Sequence, residues 1–225
     1  MTKLLNKRTK LSQPIYICDA LSRNLLSSDK TTLCHCLAHA YRKFDDLKAF
    51  YPNACNHVIE CLSAVYKHDD KTRTMSPVKR LAHHQAYSKP LMQEVKTYIL
   101  SLINDNIVEP NSPLGKVINY TLKHWHPLTQ FLRSENAPLD NNIVERALKV
   151  PIRSRKTGLF YKTQYGAMIG GILTSVIHTC ALAKENPIAY LIALQENKDR
   201  VVKEPHCWLP WNYQQQLLPQ QQAAA

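Results

Sequence analysis

Leu139 to Lys156 reads LDNNIVERALKVPIRSRK, and the reading of this stretch decides the fold and the function. Asp140, Asn141 and Asn142 are helix-start residues, because a short polar side chain can accept from the orphan N–H groups of a first turn. After them Ile143, Val144, Ala147 and Leu148 recur at helical spacing and form an apolar stripe. Glu145 and Lys149 sit four apart on another face, as an ordinary helix ion pair would, and Asn142 to Glu145 has the spacing of a capping box. Pro151 is expected to end the helix, which leaves Arg153, Arg155 and Lys156 on a cationic strand or loop. A carboxylate followed at once by cations suits a site that holds a divalent cation beside a nucleic-acid backbone. It also suits a capped, solvated helix, and spacing alone does not separate the two.

The whole chain leans the same way. Its 225 residues can bury a core of one domain or one and a half, and a hydrophobic fraction of 44% is that of a globular protein. A formal charge of +12 with a pI of about 9.4 favours an anionic partner, nucleic acid before an anionic membrane surface. The opening MTKLLNKRTKLSQ is basic and lacks an apolar core segment, so no secretory signal is expected. Gly166 to Ala183 is the one long weakly polar run. Thr174, Ser175, His178 and Thr179 interrupt it and it falls short of the ~20 residues of a membrane span, so it is expected to be a buried helix with His178 in the core. Seven cysteines without a CxxC pair point to reduced thiols in a cytosol.

Taken in order, residues 1–13 read as a basic arm. Ile15–Cys18 is apolar and partly β-branched, hence a strand, and Asp19 follows it directly. An acid at the carboxyl end of a buried strand faces the crevice where α/β sheets place ligands, or else caps the turn Ala20–Arg23. Thr31–Cys34 is a second strand, and Cys36–Phe44 opens a helix. Arg42 and Lys43 on that helix are a solvated charged face or a DNA contact. Cys34, His35, Cys36 and His39 lack the spacing of a structural zinc site. Helices are expected at Ala54–Lys67, from Ser76-Pro77 to Tyr87, at Leu91–Ile103 after a fresh start at Ser88-Lys89-Pro90, and from Ser112-Pro113 through Trp125. Asp69 and Asp70 are expected to be solvated in a turn, and Trp125 and Phe131 to lie in the core. Leu159–Tyr161 reads as a short strand or extended segment, Gln164–Ala183 as a long helix, Asn186-Pro187 as the start of a helix to Glu196, and Gln214–Ala225 as a disordered low-complexity tail. No internal repeat is apparent.

Asp140-Asn-Asn-Ile-Val-Glu145-Arg146-Ala147-Leu148 resembles the DNN-x-x-ERA-L signature of the insertion-sequence-66 family of transposases, whose helix carries the glutamate of an Asp-Asp-Glu metal triad. Arg155-Lys156 with Leu159-Phe160 resembles that family's RK-x-x-LF continuation. Cys18–Asn24, CDALSRN, is similar to the stretch with the triad's second aspartate. Cys36–Phe44 is similar to C-x-AHARRKF, with Tyr41 where an arginine is usual. The closing TxALAxxNPxxYL pattern, Thr179 to Leu191, and Leu209-Pro210-Trp211-Asn212 match as well, so the resemblance runs from about Ile17 to Tyr213.

It implies an α+β, mostly helical fold: an incomplete ribonuclease-H-like core over residues 14–213 with a helical insertion at 54–133. It implies metal-dependent DNA cleavage and transfer, with Asp19 and Glu145 as catalytic metal ligands for Mg2+ or Mn2+. Arg42, Lys43, Arg146, Lys149, Arg153, Arg155 and Lys156 would hold DNA, Arg146 alternatively bracing the structure. The triad's first aspartate belongs on an earlier strand, yet no acid precedes Asp19. The chain therefore reads as a carboxyl-terminal portion that binds metal weakly and has little activity alone. Its expected partners are insertion-sequence ends, a second copy or a full-length transposase, and no membrane. Its expected place is the bacterial cytoplasm, at the nucleoid. The rival readings are a non-catalytic DNA-binding remnant and, third, a helical scaffold whose basic face meets an acidic protein.

Overall fold

The structure is a computed structural model that describes residues 13–21, 31–157 and 161–217. The chain divides into two compact units, Met1–Asn142 and Ile143–Ala225.

In the first unit two short strands, β1 (Ile15–Cys18) and β2 (Thr32–His35), pair in parallel with Ile15 opposite Thr32 and Cys18 opposite His35. Both were legible from their apolar, partly β-branched runs, β2 one residue later than expected. The chain then enters helix α1 (Leu37–Asp45), which buries Leu37, Ala40 and Phe44. Helix α2 (Pro52–Lys71) buries Cys55, Val58, Leu62 and Val65 along one stripe. Its end holds a correction. Asp69 is not in a solvated turn but in the last helical turn, half-buried, and accepts from Arg80 at 2.7 Å and from His84 Nε2 at 3.2 Å. Asp70 does stay at the surface, paired with Arg73.

Helix α3 (Pro77–His83) and helix α4 (Lys89–Asn104) are one continuous rod joined by a π-helical turn, His84–Ser88. The separate start expected at Ser88-Lys89-Pro90 does not occur. Pro90 has no N–H to give, and the helix absorbs the defect by widening one turn, so that the Lys89 N–H reaches the His84 carbonyl five residues back. The widened turn presents His84, whose Nδ1 meets Ser88 Oγ at 2.9 Å while Nε2 faces Asp69. Beyond it, Met92, Val95, Ile99 and Leu102 form the buried stripe of α4 that packs against α2.

Helix α5 (Pro113–Lys123) starts as expected, with Ser112 Oγ accepting from the Gly115 N–H at 3.0 Å. Gly115 is pressed against the carbonyls of Glu109 and Pro110, where a Cβ would collide. A short helix α6 (Trp125–Leu128) and a 3-10 turn, Gln130–Leu132, close the block with Phe131 buried and Trp125 packed at the core's margin. The unit is mostly helical beside a two-stranded sheet, which does not by itself define a ribonuclease-H-like core.

Helix α7 (Asn142–Thr157) leads from the last residue of the first unit into the second. There follow α8 (Gln164–Ala183), α9 (Pro187–Glu196), α10 (Lys198–Lys203) and α11 (Tyr213–Leu217). Asn186 caps α9 as its sequence suggested, its Oδ1 accepting from the N–H groups of Ile188 and Ala189. The core is small: Cys180, Tyr190, Ala193, Trp208 and Tyr213, with the Tyr190 hydroxyl donating to the Trp208 carbonyl at 2.7 Å.

One expectation fails in this unit. Helix α8 is not buried, since Tyr165, Met168, Ile172, Ile177 and Leu182 are exposed, and His178 is exposed with them. At 20 residues α8 is also long and apolar enough to cross a membrane by length and composition, although one such helix is weak ground for a span. The strand or extended segment expected at Leu159–Tyr161 lies outside the described residues except for Tyr161, which is in no regular element. Of the expected disordered tail, residues 214–217 are helical in α11. Residues 218–225, the basic arm at 1–12 and the turn residues Ser22 and Arg23 lie outside the described residues.

Asp69 gives a stability prediction. Burial raises its pKa, but the hydrogen bonds from His84 and Arg80 outweigh burial and hold it below the usual carboxylate value. Asp69→Ala should therefore cost about 1–3 kcal/mol in denaturant unfolding at neutral pH. A depressed folded pKa means stability that is present above the unfolded pKa of about 3.9 and lost as pH falls through the folded value. The gap between wild type and variant should thus narrow below about pH 4.

Candidate nucleic-acid and metal site

A helix with no side-chain cap builds the site. Cys36 precedes α1 without offering such a bond, so the first N–H groups of the helix need other acceptors. The Cys36 N–H donates to the Cys18 carbonyl at 3.0 Å and the Leu37 N–H to the Leu139 carbonyl at 2.8 Å. The second bond brings residues 139–142 to the carboxyl end of the parallel strands, where Asp19 follows β1. Asp140 then starts α7: its Oδ1 accepts from the Asn142 N–H at 3.0 Å and its Oδ2 from Asn142 Nδ2 at 2.8 Å. Arg42 donates to Asn142 Oδ1 at 3.4 Å. Ala38, Tyr41, Arg42, Ser63, Tyr66 and Asn142 line an open recess of about 400 Å³. Burial, and then the charge of Asp140, push the Tyr66 hydroxyl pKa up.

Asp19 is half-buried. Its negative charge reaches Cys18, His35 and Tyr120. His35 is buried, edge-on to His124 at 4.9 Å, and neither of its ring nitrogens meets a hydrogen-bond partner among the described residues. Burial, with His124 adding to it, lowers its pKa to about 4 despite Asp19. Lys43 is not part of a solvated face. Its Nζ lies 4.6 Å from the centre of the Tyr120 ring, a cation–π contact. Arg42 is exposed.

Pro151 does not stop α7, which runs on to Thr157. The proline deletes only the bond to the Ala147 carbonyl, and the helix continues past it. Arg153, Arg155 and Lys156 are therefore helical, not on a strand or loop. Helical spacing then sorts the cations. Arg146, Lys149, Arg153 and Lys156 follow one another at three or four residues and make one exposed stripe, with half-buried Glu145 at its edge and Arg155 off to another side. The stripe spans about 15 Å at 1.5 Å per residue. The opposite side, with Val144 and Leu148, is also exposed, and Arg155 shares it.

Of the residues singled out in the sequence, Arg42 meets the start of α7, and Glu145 shares one helix with the cations after it. Asp19 belongs to the first unit and Glu145 to the second, so their convergence is not a feature of either. The donor chemistry of both is hard carboxylate oxygen, which fits magnesium or manganese with water in the remaining positions. Tyr66 had no distinguishing signal in the sequence, since a buried tyrosine reads as ordinary core, and His35 stood out there only in a Cys-His cluster without zinc spacing.

A model of the Transposase IS66 family matches residues 5–169. Two uncharacterized proteins of Sinorhizobium fredii (strain NBRC 101917 / NGR234) are similar to the chain. Protein y4jD is 33% identical over 199 residues, covering 86% of this chain and 38% of that protein. Protein y4hP is 30% identical over 196 residues, covering 81% of this chain and 35% of that protein. The chain thus spans little more than a third of the length of these relatives. No solved structure matches it.

His35 yields a pH prediction. An unfolded histidine titrates near 6.5, the folded one near 4. Between these values the unfolded chain binds the extra proton, so stability should fall as pH drops from 6.5 towards 4. The loss attributable to His35 is about 3 kcal/mol at ~1.4 kcal/mol per unit. His35→Gln should flatten that part of the unfolding free-energy profile; a variant with the wild-type slope would refute the assignment.

Proposed function

The chain belongs to the IS66 family of transposases, and from that premise we propose that it takes part in cutting and joining DNA at the ends of an insertion sequence. In this reading Asp19 and Glu145 are two carboxylates of an Asp-Asp-Glu set on a ribonuclease-H-like core, and they hold Mg2+ or Mn2+. The cation, when bound, would activate the attacking oxygen and stabilise the leaving one at phosphorus. The chain's own residues do the rest. Arg146, Lys149, Arg153 and Lys156 hold successive phosphates, which fixes register without reading sequence. Arg155 and Lys43 have lesser parts, and Arg42 steadies the start of α7. The partner is insertion-sequence DNA in the bacterial cytoplasm, at the nucleoid, with a second copy or a longer transposase alongside.

The observation that carries this reading is the hydrogen bond from Leu37 to the Leu139 carbonyl. It holds Leu139, just ahead of the DNN-x-x-ERA-L run, against the start of α1 within the first unit, which supports the reading. With two acids in place of three, metal binding is weak and cutting by these 225 residues alone is slight. The exposed cation stripe also supports a second reading, a chain that binds DNA without cutting it.

Two measurements test these readings. On a plasmid carrying candidate terminal repeats, Glu145→Gln should abolish magnesium-dependent nicking and leave DNA binding intact; undiminished nicking would refute the role. A wild-type chain that binds with steep salt dependence and never nicks favours the second reading. Losing two phosphate contacts in Arg153→Ala with Lys156→Ala should flatten the slope of log affinity against log salt by about 1.8. Arg155→Ala alone should change it less, being off the stripe.

A further inference from the structure

His57 and Cys61 lie four residues apart on α2, so both side chains leave the helix on one face. Glu94 meets them from α4. His57 Nε2 is 3.3 Å from Glu94 Oε1, and one ligand atom from each of the three residues lies within 4.8 Å of the other two. A tetrahedral zinc site with bonds of 2.0–2.3 Å needs its donors about 3.5 Å apart. Small side-chain rotations close the remaining distance. Tyr98, one turn after Glu94, holds the His57 ring edge-on at 4.4 Å. The sulfur is at the floor of the site, with Cys61 buried. His57 and Glu94 form a half-open mouth, their side chains 36% and 52% exposed.

The geometry points to a transition-metal site, zinc by its donors, formed by His57 Nε2, Cys61 Sγ and a Glu94 carboxylate oxygen with a water in the fourth position. An imidazole, a thiolate and one carboxylate prefer zinc to magnesium, so this site is independent of the carboxylates proposed for DNA cleavage. An ion pair between His57 and Glu94 needs no sulfur beneath it, whereas a metal ion uses all three groups. Without a cation, burial and the facing Glu94 carboxylate push the Cys61 thiol up to about 11. A divalent cation reverses that balance by drawing the thiolate to itself. Bound there, zinc ties α2 to α4, the two helices whose stripes make the largest part of the first unit's core.

The test uses the whole chain, stripped of metal and titrated with Co2+ as a spectroscopic probe. A single equivalent should bring up a thiolate-to-cobalt charge-transfer band with tetrahedral d–d absorption, and Zn2+ should bleach both. Cys61→Ser should lose the charge-transfer band. Glu94→Gln and His57→Ala, both at half-exposed positions that do not threaten folding, should weaken Co2+ binding about tenfold or more. Zn2+ should raise the Tm of the wild type more than that of Glu94→Gln. A folded wild type without the band, or a band that survives Cys61→Ser, overturns the site. So does an equal Zn2+ effect on the Tm of wild type and Glu94→Gln.

Discussion

The arrangement of the first unit depends on the uncapped start of α1. A helix leaves its first N–H groups without internal partners, and burying them unpaired would cost roughly 1–3 kcal/mol each. Cys36 supplies no side-chain oxygen, so two backbone carbonyls do the work. One belongs to Cys18 at the end of β1 and the other to Leu139, far along the chain. The chain can insert a whole helical block between these points because both ends of the block are fixed at one helix terminus. Arg42, on the next turn of α1, adds its bond to Asn142. Exposed side chains at this junction can change without moving the backbone, whereas a change that displaced Leu139 would release the start of α7.

How much of this the sequence disclosed depends on whether the deciding partner was close in the chain. Ser112-Pro113 and Asn186-Pro187 announced helices correctly, because a cap and a proline act on their own first turn. Pro90 and Pro151 misled for a complementary reason. Each removes one hydrogen bond, and whether a helix breaks there depends on what the rest of it gains from continuing. Around Pro90 the buried stripe of α4 and the His84–Asp69 contact favour a widened turn over a break. Asp69 was taken for a surface acid because its partners lie eleven and fifteen residues away. The DNN-x-x-ERA-L motif located Glu145, but only the continuous helix shows which of the following cations share a face.

The two units differ in how well their apolar residues are covered. The first has a core drawn from both strands, α1, α2 and α4 through α6, with Val58, Val65, Val95, Ile99 and Ile118 fully buried. The second has a cluster of five buried residues among those described, centred on Trp208 and the Tyr190 hydroxyl bond. A cluster that small cannot cover three long helices, which is why α7 and α8 show apolar sides to solvent. Periodicity had announced the stripe of α7 correctly; it does not tell what lies opposite a stripe. The expectation of a buried α8 failed on that point, since apolar composition permits burial without supplying the neighbour that buries it.

The donor sets also separate two metal chemistries that one treatment would confuse. Asp19 and Glu145 offer oxygen alone, whereas His57, Cys61 and Glu94 together offer nitrogen, sulfur and oxygen. If both proposed sites hold metal, a strong chelator would empty both, but magnesium added back would refill only the first. Activity lost on chelation and not restored by magnesium would therefore not count against the two carboxylates. It is what a helical scaffold without its α2–α4 clip would also produce. Only restoring zinc and magnesium separately assigns the loss to one site or the other.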